Sequence, residues 1–280
     1  MQQLEGKFRG AGALELYYQT WQPITIARGV ILLVHGFGEH SGRYNYLIEH
    51  LVPQGYVVHA FDLRGHGRSP GARGHINQWQ ELSDDLRAFI TTVARTGTPQ
   101  HPPLPHFLFG HSFGGLIALN YALQYPDNLQ GVVVSAPLLA QAKISPFLIT
   151  LSRVLQRVKP NLAVNVKMDV TTISRDPAEV QRYAKDPLIH SIGTPRTASE
   201  IEKAALWTLA NATRWRLPLM LYHGNADRLV PITGSRQFYE QVTFPDKHWI
   251  EYEGGYHESH NDQDRTKLFG DMSTWLEAHL

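Results

Sequence analysis

Gly110-His111-Ser112-Phe113-Gly114, entered from the apolar run Phe107 to Phe109 and left through the helix-like Leu116 to Leu123, is the stretch on which the fold turns. It satisfies G-x-S-x-G in the context that gives the pattern weight, a strand running directly into a helix. A turn that sharp needs glycines so that the backbone can pass closely. It lifts the serine above the strand and sets it beside a helix N-terminus, where developing negative charge is favoured. A glycine-rich turn with an idle serine would show the same five residues, so the rest of the chain has to decide.

Working outward, short β-branched or aliphatic runs bounded by turn residues recur at Gly29 to Val34, Val57 to Phe61, Val132 to Val134, Leu219 to Tyr222 and Trp249 to Tyr252. They read as buried strands. Between two of them Trp79, Leu82, Leu86, Phe89, Ile90 and Val93 share one helical face, with Asp84, Asp85 and Arg87 expected outside it. Strands alternating with helices predict an α/β fold with a mostly parallel central sheet flanked by helices. Leu14 to Trp21 is expected to add an antiparallel edge strand. From about Leu138 to Arg216 the alternation lapses into helical patterns and polar turns. The expected organisation is therefore a sheet core of residues 1–137 and 217–280 with a helical cap, 138–216, inserted into it. Within the cap, Ile144, Phe147, Leu148, Leu151, Val154, Leu155 and Val158 form an apolar stripe, with Arg153, Arg157 and Lys159 on the other side. That pattern fits a helix lying on a membrane surface and equally a helix packed onto the cap's own interior.

Composition narrows the functions available. At roughly 150 residues per domain, 280 residues make about 1.9 domains, consistent with one large domain carrying an insertion. With 42% hydrophobic and 18% charged residues the chain is an ordinary globular one, neither disordered nor fibrous. Lys plus Arg is 26 and Asp plus Glu 25, so there is no broad field to steer a polyanion, and no nucleic-acid partner is expected. The cysteine count of 0 excludes a disulfide framework, thiolate metal sites and a cysteine nucleophile. No apolar run approaches the roughly 20 residues of a spanning helix, and Met1 to Gln22 does not read as a signal peptide. A cytoplasmic protein is expected, with any membrane contact peripheral and made through the cap. His257-Glu258-Ser259-His260 has its histidines three apart where H-E-x-x-H needs four, so no metal is expected. The basic stretch Arg64 to His75 lacks interleaved aromatics and reads as a loop beside the site. No P-loop and no G-x-G-x-x-G occur, which leaves nucleotide binding without support.

A serine hydroxyl needs a base and the base an orienting acid, in the order Ser, Asp, His on this kind of sheet. Asp227 follows the strand Leu219 to Tyr222, and His257 follows the strand Trp249 to Tyr252. Parallel strand ends converge on one edge, so Ser112, Asp227 and His257 can meet there. A tetrahedral oxyanion also needs two N–H donors. Phe113, after the serine, supplies one; Phe37, in His35-Gly36-Phe37-Gly38 beyond the strand Gly29 to Val34, is expected to supply the other.

With these residues assembled, the chain resembles the monoglyceride lipases of the serine α/β-hydrolase superfamily nearly end to end. The likeness covers His35 through Tyr44, Asp62 to Ser69 with its Arg-Gly-His-Gly-Arg-Ser core, the Ser112 turn and the Asp227 and His257 segments. It extends to the cap stretch Ile173-Ser174-Arg175-Asp176 through Tyr183, Asp186, Pro187 and Leu188. The resemblance implies an α/β-hydrolase fold, no metal or organic cofactor, and hydrolysis of a small lipid ester, a monoacylglycerol, through an acyl-enzyme on Ser112. It implies His257 as base and then acid, and Asp227 as the group holding the imidazole. It further implies that Glu39, Arg43, His111, Tyr183 and His260 bind the alcohol end. For Glu39 with Arg43 a structural ion pair is the competing reading, for His111 a packed turn residue, and for His260 a solvent-facing or supporting histidine. Phe37 and Phe113 are bulkier than the family often has, which bears on acyl-chain length. The alternatives on the same triad are a lysophospholipase or a broad-specificity carboxylesterase. From another class stands a catalytically silent scaffold that binds lipid or protein.

Overall fold

The structure, a computed structural model, describes residues 1–94, 104–140, 158–166 and 168–280. Eight strands form one sheet: β1 (Gln2–Arg9), β2 (Glu15–Gln22), β3 (Gly29–Val34), β4 (Tyr56–Phe61), β5 (His106–His111), β6 (Gly131–Ser135), β9 (Leu219–Gly224) and β10 (Lys247–Tyr252). A separate two-stranded pair, β7 (Val164–Asn165) and β8 (Ile192–Gly193), lies between β6 and β9 in the chain. The order across the large sheet is β1-β2-β4-β3-β5-β6-β9-β10, antiparallel at β1–β2 and β2–β4 and parallel from β4 onward. All six strands read from the sequence are present, most extended by a residue or two.

Burial explains why the strands were legible. Every residue of β3 is buried, because helices cover both faces of the sheet and the strand reads as a continuous apolar run. Alternate residues divide between two cores. Val30, Leu32 and Val34 face one with Leu108, Val132, Val134 and α3 (Phe113–Gln124); Ile31 and Leu33 face the other with Phe107, Phe109, α1 (Asn45–Leu51) and α7 (Arg265–Glu277). Helix α3 lies between sheet and helices, so it is apolar all round with no polar face.

Two expectations need correction, and a third meets contacts that bear on it. The Leu14 to Trp21 segment is β2, but it lies inside the sheet between β1 and β4; the edge is β1, whose only buried residue is Phe8, so no alternating pattern announced it. On α2 (Gln80–Phe89), Leu82, Leu86 and Phe89 are buried as predicted, yet Asp85 is buried with them at 0% exposure. Arg64 is the reason: its guanidinium meets Asp85 at 2.7 and 2.8 Å, and the Ala11 N–H adds a third bond at 2.7 Å. A carboxylate on an apolar helix face is stable only with such a partner.

The third concerns the insertion. Between β6 and β9 the described chain holds the β7/β8 pair, α4 (Pro177–Lys185) and α5 (Pro195–Ala210). Helix α5 packs on α3, and its Ile201 and Ala204 belong to the core under the sheet, so the expected cap boundary at 216 takes in a helix of the core. Residues 173–190 instead lie against the loops after β3 and β10. His190 N–H donates to Gly38 O at 2.9 Å, Glu258 N–H to Ile173 O at 2.8 Å, and His40 Nε2 meets Asp186 Oδ2 at 2.9 Å. The apolar stripe Ile144 to Leu155 lies outside the described residues; its last member, Val158, is 70% exposed.

Candidate active site

Parallel register sets the carboxyl ends of β3, β5, β6, β9 and β10 side by side. Val34 is level with Gly110, His111 with Ser135, Ser135 with Tyr222, and Tyr222 with Ile250. The residues just beyond those ends therefore share one rim. Ser112 stands there at φ 52°, ψ −114°, a left-handed conformation that a non-glycine residue adopts only under constraint. Its N–H donates to Ser135 O at 2.9 Å, and its own carbonyl accepts from Leu116 and Leu138 at 3.0 and 2.9 Å. The flanking glycines are required by contact: a Cβ on Gly114 would lie 2.1 Å from Val34 O, and one on Gly110 would lie 2.4 Å from Gly114 O.

Asp227 is held from every side. Its Oδ1 accepts the Leu229 and Val230 N–H groups at 2.8 and 3.0 Å, while Oδ2 lies 2.6 Å from His257 Nδ1 and 3.0 Å from His223 Nε2. Since the carboxylate can only accept, His257 Nδ1 carries the hydrogen and Nε2 keeps a lone pair. Ser112 and His257 line one cavity of about 630 Å³, whose wall also includes Gly36, Phe37, Glu39, His111, Ile173 and Tyr183.

Electrostatics separate the three neighbouring imidazoles. Burial pushes His111 far below the usual histidine range, assisted by His257 and His260; burial also lowers His260, to about 4, despite Glu258 and Glu39. His257 suffers the same burial, but the charge and hydrogen bond of Asp227, with Glu258 and Glu39 beyond, lift it above 6.5. Asp227 is opposed by burial too, yet His257 and the hydrogen bonds from His223 and His257 hold it well below the carboxylate range. An imidazole that gains a proton readily therefore sits beside a carboxylate that stays charged.

Two N–H groups, those of Phe37 and Phe113, are expected to meet an oxyanion. Glu39 Oε1 takes the Gly36 N–H at 2.6 Å, which leaves Phe37 as the next N–H on that loop. Phe113 opens α3, so its N–H has no acceptor within the helix. The two side chains part company: Phe37 lines the cavity, whereas the Phe113 ring is 1% exposed in the core, packed edge-on against Phe37 and Trp79. Of the two bulky residues only Phe37 narrows the chamber.

The five residues expected at the alcohol end are brought together, but not all reach the cavity. Glu39, His111 and Tyr183 line it. Arg43 stands behind that wall, clamped by Glu39 at 2.8 Å and by both oxygens of Glu258 at 2.6 and 2.8 Å, with its guanidinium 4.5 Å from the Tyr183 ring centroid. Burial works against the Glu258 charge, but Arg43 holds its carboxyl at about 2. Arg43 is thus held in a buried ion cluster with Glu39 and Glu258. His260 is 0% exposed, stacked on Tyr44 at 4.9 Å and edge-on to His111 at 4.7 Å, and does not line this cavity. Sequence reasoning passed over Glu258 and His223. The signals were adjacency to His257 for the first and a four-residue spacing from Asp227 for the second.

A mostly parallel, helix-flanked sheet with a strained serine between β5 and α3 and an Asp–His pair beyond later strands is that of an α/β-hydrolase. The chain belongs to the family described as serine aminopeptidase, S33, whose model matches residues 25–264. It is 35% identical, over 99% of its length and 98% of the relative's, to the monoacylglycerol lipase of Mycolicibacterium smegmatis. It superposes on the crystal structure of Paleococcus ferrophilus monoacylglycerol lipase with a TM-score of 0.85 at 36% identity, covering 95% of this chain and 100% of that one. The phospholipase YtpA of Bacillus subtilis is 32% identical over 90% of this chain and 96% of that protein.

Proposed function

We propose that the chain is a serine ester hydrolase that releases fatty acid and glycerol from monoacylglycerols, with Ser112 as nucleophile, His257 as general base and acid, and Asp227 as its orienting partner. The observation that carries the reading is the Asp227–His257 bond of 2.6 Å directed into the cavity that Ser112 lines. Ser112 Oγ attacks the ester carbonyl while its proton passes to His257 Nε2. The oxyanion is met by the Phe37 and Phe113 N–H groups. As the tetrahedral state collapses, the C–O bond to glycerol breaks and His257 returns the proton to the leaving oxygen. Water then repeats the sequence on the acyl-enzyme and frees the acid.

The cavity wall supports a substrate with two unlike ends. Glu39, His111 and Tyr183 offer polar groups near Ser112, and Phe37, Val166, Met168, Ile173, Leu229 and Val230 offer an apolar wall for an acyl chain. Residues 138–194 are proposed as the cap, because 173–190 bear directly on the rim loops. Val158 at 70% and Val166 at 54% exposure, with the half-exposed Leu162 and Val164, support peripheral contact of that region with a lipid surface. Val158→Glu with Leu162→Glu is expected to lower sedimentation with phosphatidylcholine vesicles while leaving turnover of a soluble ester intact. Equal sedimentation would remove the membrane reading.

The test of function is fatty-acid release from a long-chain monoacylglycerol, a lysophospholipid and a short aryl ester, by wild type and Ser112→Ala. Preference for the monoacylglycerol, lost in the variant, is expected. Arg228 on the cavity wall favours the lysophospholipase reading, since a guanidinium there could meet a phosphate. Preference for the lysophospholipid would establish it. Activity confined to the short ester would leave a general carboxylesterase, and hydrolysis unchanged in Ser112→Ala would discard the mechanism.

A further inference from the structure

We propose that His223 is a positioning residue of this site, a second imidazole that donates to the same Asp227 oxygen as His257 and so sets both the rotamer of the carboxylate and the basicity of the histidine facing Ser112. The inference rests on the roles proposed above for Ser112, Asp227 and His257. His223 is fully buried near the end of β9, does not line the cavity, and takes no part in the two-step ester cleavage.

Its tautomer follows from its neighbours. Nε2 lies 3.0 Å from Asp227 Oδ2 and 3.1 Å from Val230 O, both acceptors, so Nε2 carries the hydrogen and shares it between them. Nδ1 then offers its lone pair to Ser235, whose Oγ on α6 (Ile232–Gln241) stands 2.9 Å away and donates. A chain of donation thus runs from Ser235 through His223 to Asp227 Oδ2. Each carboxylate oxygen accepts two hydrogen bonds, and His223 provides the one that comes from neither the local backbone nor His257.

Removing that donor leaves the Oδ2 charge shared with His257 alone. A hydrogen bond to the ionised form stabilises it, so its loss makes the carboxylate a stronger partner for a protonated His257. His257 then holds its proton to higher pH and returns it less readily. The other groups that face His257 are Glu258, Glu39, His111 and His260, and of these His111 alone also feels His223. Glu39 and Glu258 are already paired with Arg43. Beside His223 itself, the register neighbour Glu251 on β10 is turned to Arg236 and Asn225, and His111 lies within its electrostatic reach.

Glutamine and asparagine separate geometry from bulk. The terminal amide nitrogen of glutamine stands where Nε2 does and can still reach Asp227; that of asparagine matches Nδ1 and cannot. The experiment measures kcat and KM on a short aryl ester from about pH 5.5 to 9 for wild type, His223→Gln, His223→Asn and Ser112→Ala. For His223→Asn we expect kcat about tenfold lower, KM within about twofold, and the acid limb displaced upward by about half a pH unit or more. For His223→Gln the limb returns to the wild-type position. An acid limb in the same place for all three would overturn the inference, as would a loss carried by KM alone. Should His223→Asn not fold, nitrogen-15 NMR of wild-type His223 at pH 7 decides the matter: protonation at Nε2 supports the inference and protonation at Nδ1 overturns it. Activity persisting in Ser112→Ala would fail the catalytic reading instead, and is read from a different variant.

Discussion

At the scale of single residues the site depends on charges kept where burial opposes them. His257 is lifted above the ordinary histidine value by Asp227, so the base proposed here is lost to protonation earlier than a free imidazole would be as the pH falls. The acid limb of kcat/KM is expected above pH 6.5, and a limb well below that value would mean that another group serves as base. Arg43 offers a separate test. It neutralises Glu39 and Glu258, whose side chains are each 4% exposed. Arg43→Met would leave two buried carboxylates unpaired, a change expected to cost about 3–5 kcal/mol in urea unfolding. A loss under about 1 kcal/mol would show the cluster to be far better solvated than its burial indicates. Ser112, Asp227 and His257 could be read from the sequence because their order and their positions after strands are local patterns. His223 and Glu258 could not, because their value lies in partners, one 4 residues away across a turn and the other 215 residues away at Arg43.

At the scale of elements, what positions Ser112 is the close crossing of β3, β5 and α3. Gly114→Ala would press a methyl group against Val34 O, where a Cβ meets oxygen at 2.1 Å. The helix would have to move away from β3, carrying Ser112 and the Phe113 N–H with it. We expect about 3 kcal/mol of destabilisation and a fall in kcat exceeding that in KM. Retention of wild-type kcat would show that the elbow tolerates the shift. The strands and α2 were legible from periodicity, which is a property of neighbouring residues. Strand β1 was not, since an edge strand with one face to solvent and only Phe8 buried carries little apolar signal. Helix α5 carries an apolar stripe like any amphipathic helix, and nothing in a stripe says whether it faces a cap or a sheet.

At the scale of the whole molecule the histidines govern how stability follows pH. Burial lowers His35, His66 and His111, takes His59 to about 3 and His260 to about 4. Each takes up its proton at a lower pH in the folded chain than in the unfolded one, so each removes up to about 1.4 kcal/mol per pH unit between its unfolded value of about 6.5 and its folded value. His257 acts in the opposite sense. Its folded value is raised, so its stabilisation is complete below about 6.5 and is lost as pH rises through the folded value. The depressed Asp227 and Glu258 contribute above the unfolded carboxylate range and lose their contribution only as pH falls through it toward their folded values. With His50 and His190 also lowered by burial, seven lowered imidazoles against one raised among the described residues predict acid unfolding nearer pH 5 than pH 3, measurable by far-ultraviolet circular dichroism. An unfolding midpoint at pH 3 would place control with the carboxylates.

The sequence by itself determined the class of sheet, the serine turn and the order of the Asp and His that follow it, because each is written in short-range patterning and in the strand ends it implies. Only the tertiary structure decided that Asp85 is buried, that α5 belongs to the core, and that Arg43 and His260 stand behind the cavity wall. It alone also joined His223 to Asp227 in a shared hydrogen bond. Those outcomes depend on which groups meet across the fold, and a buried polar residue is identified by its partner, which local sequence does not contain.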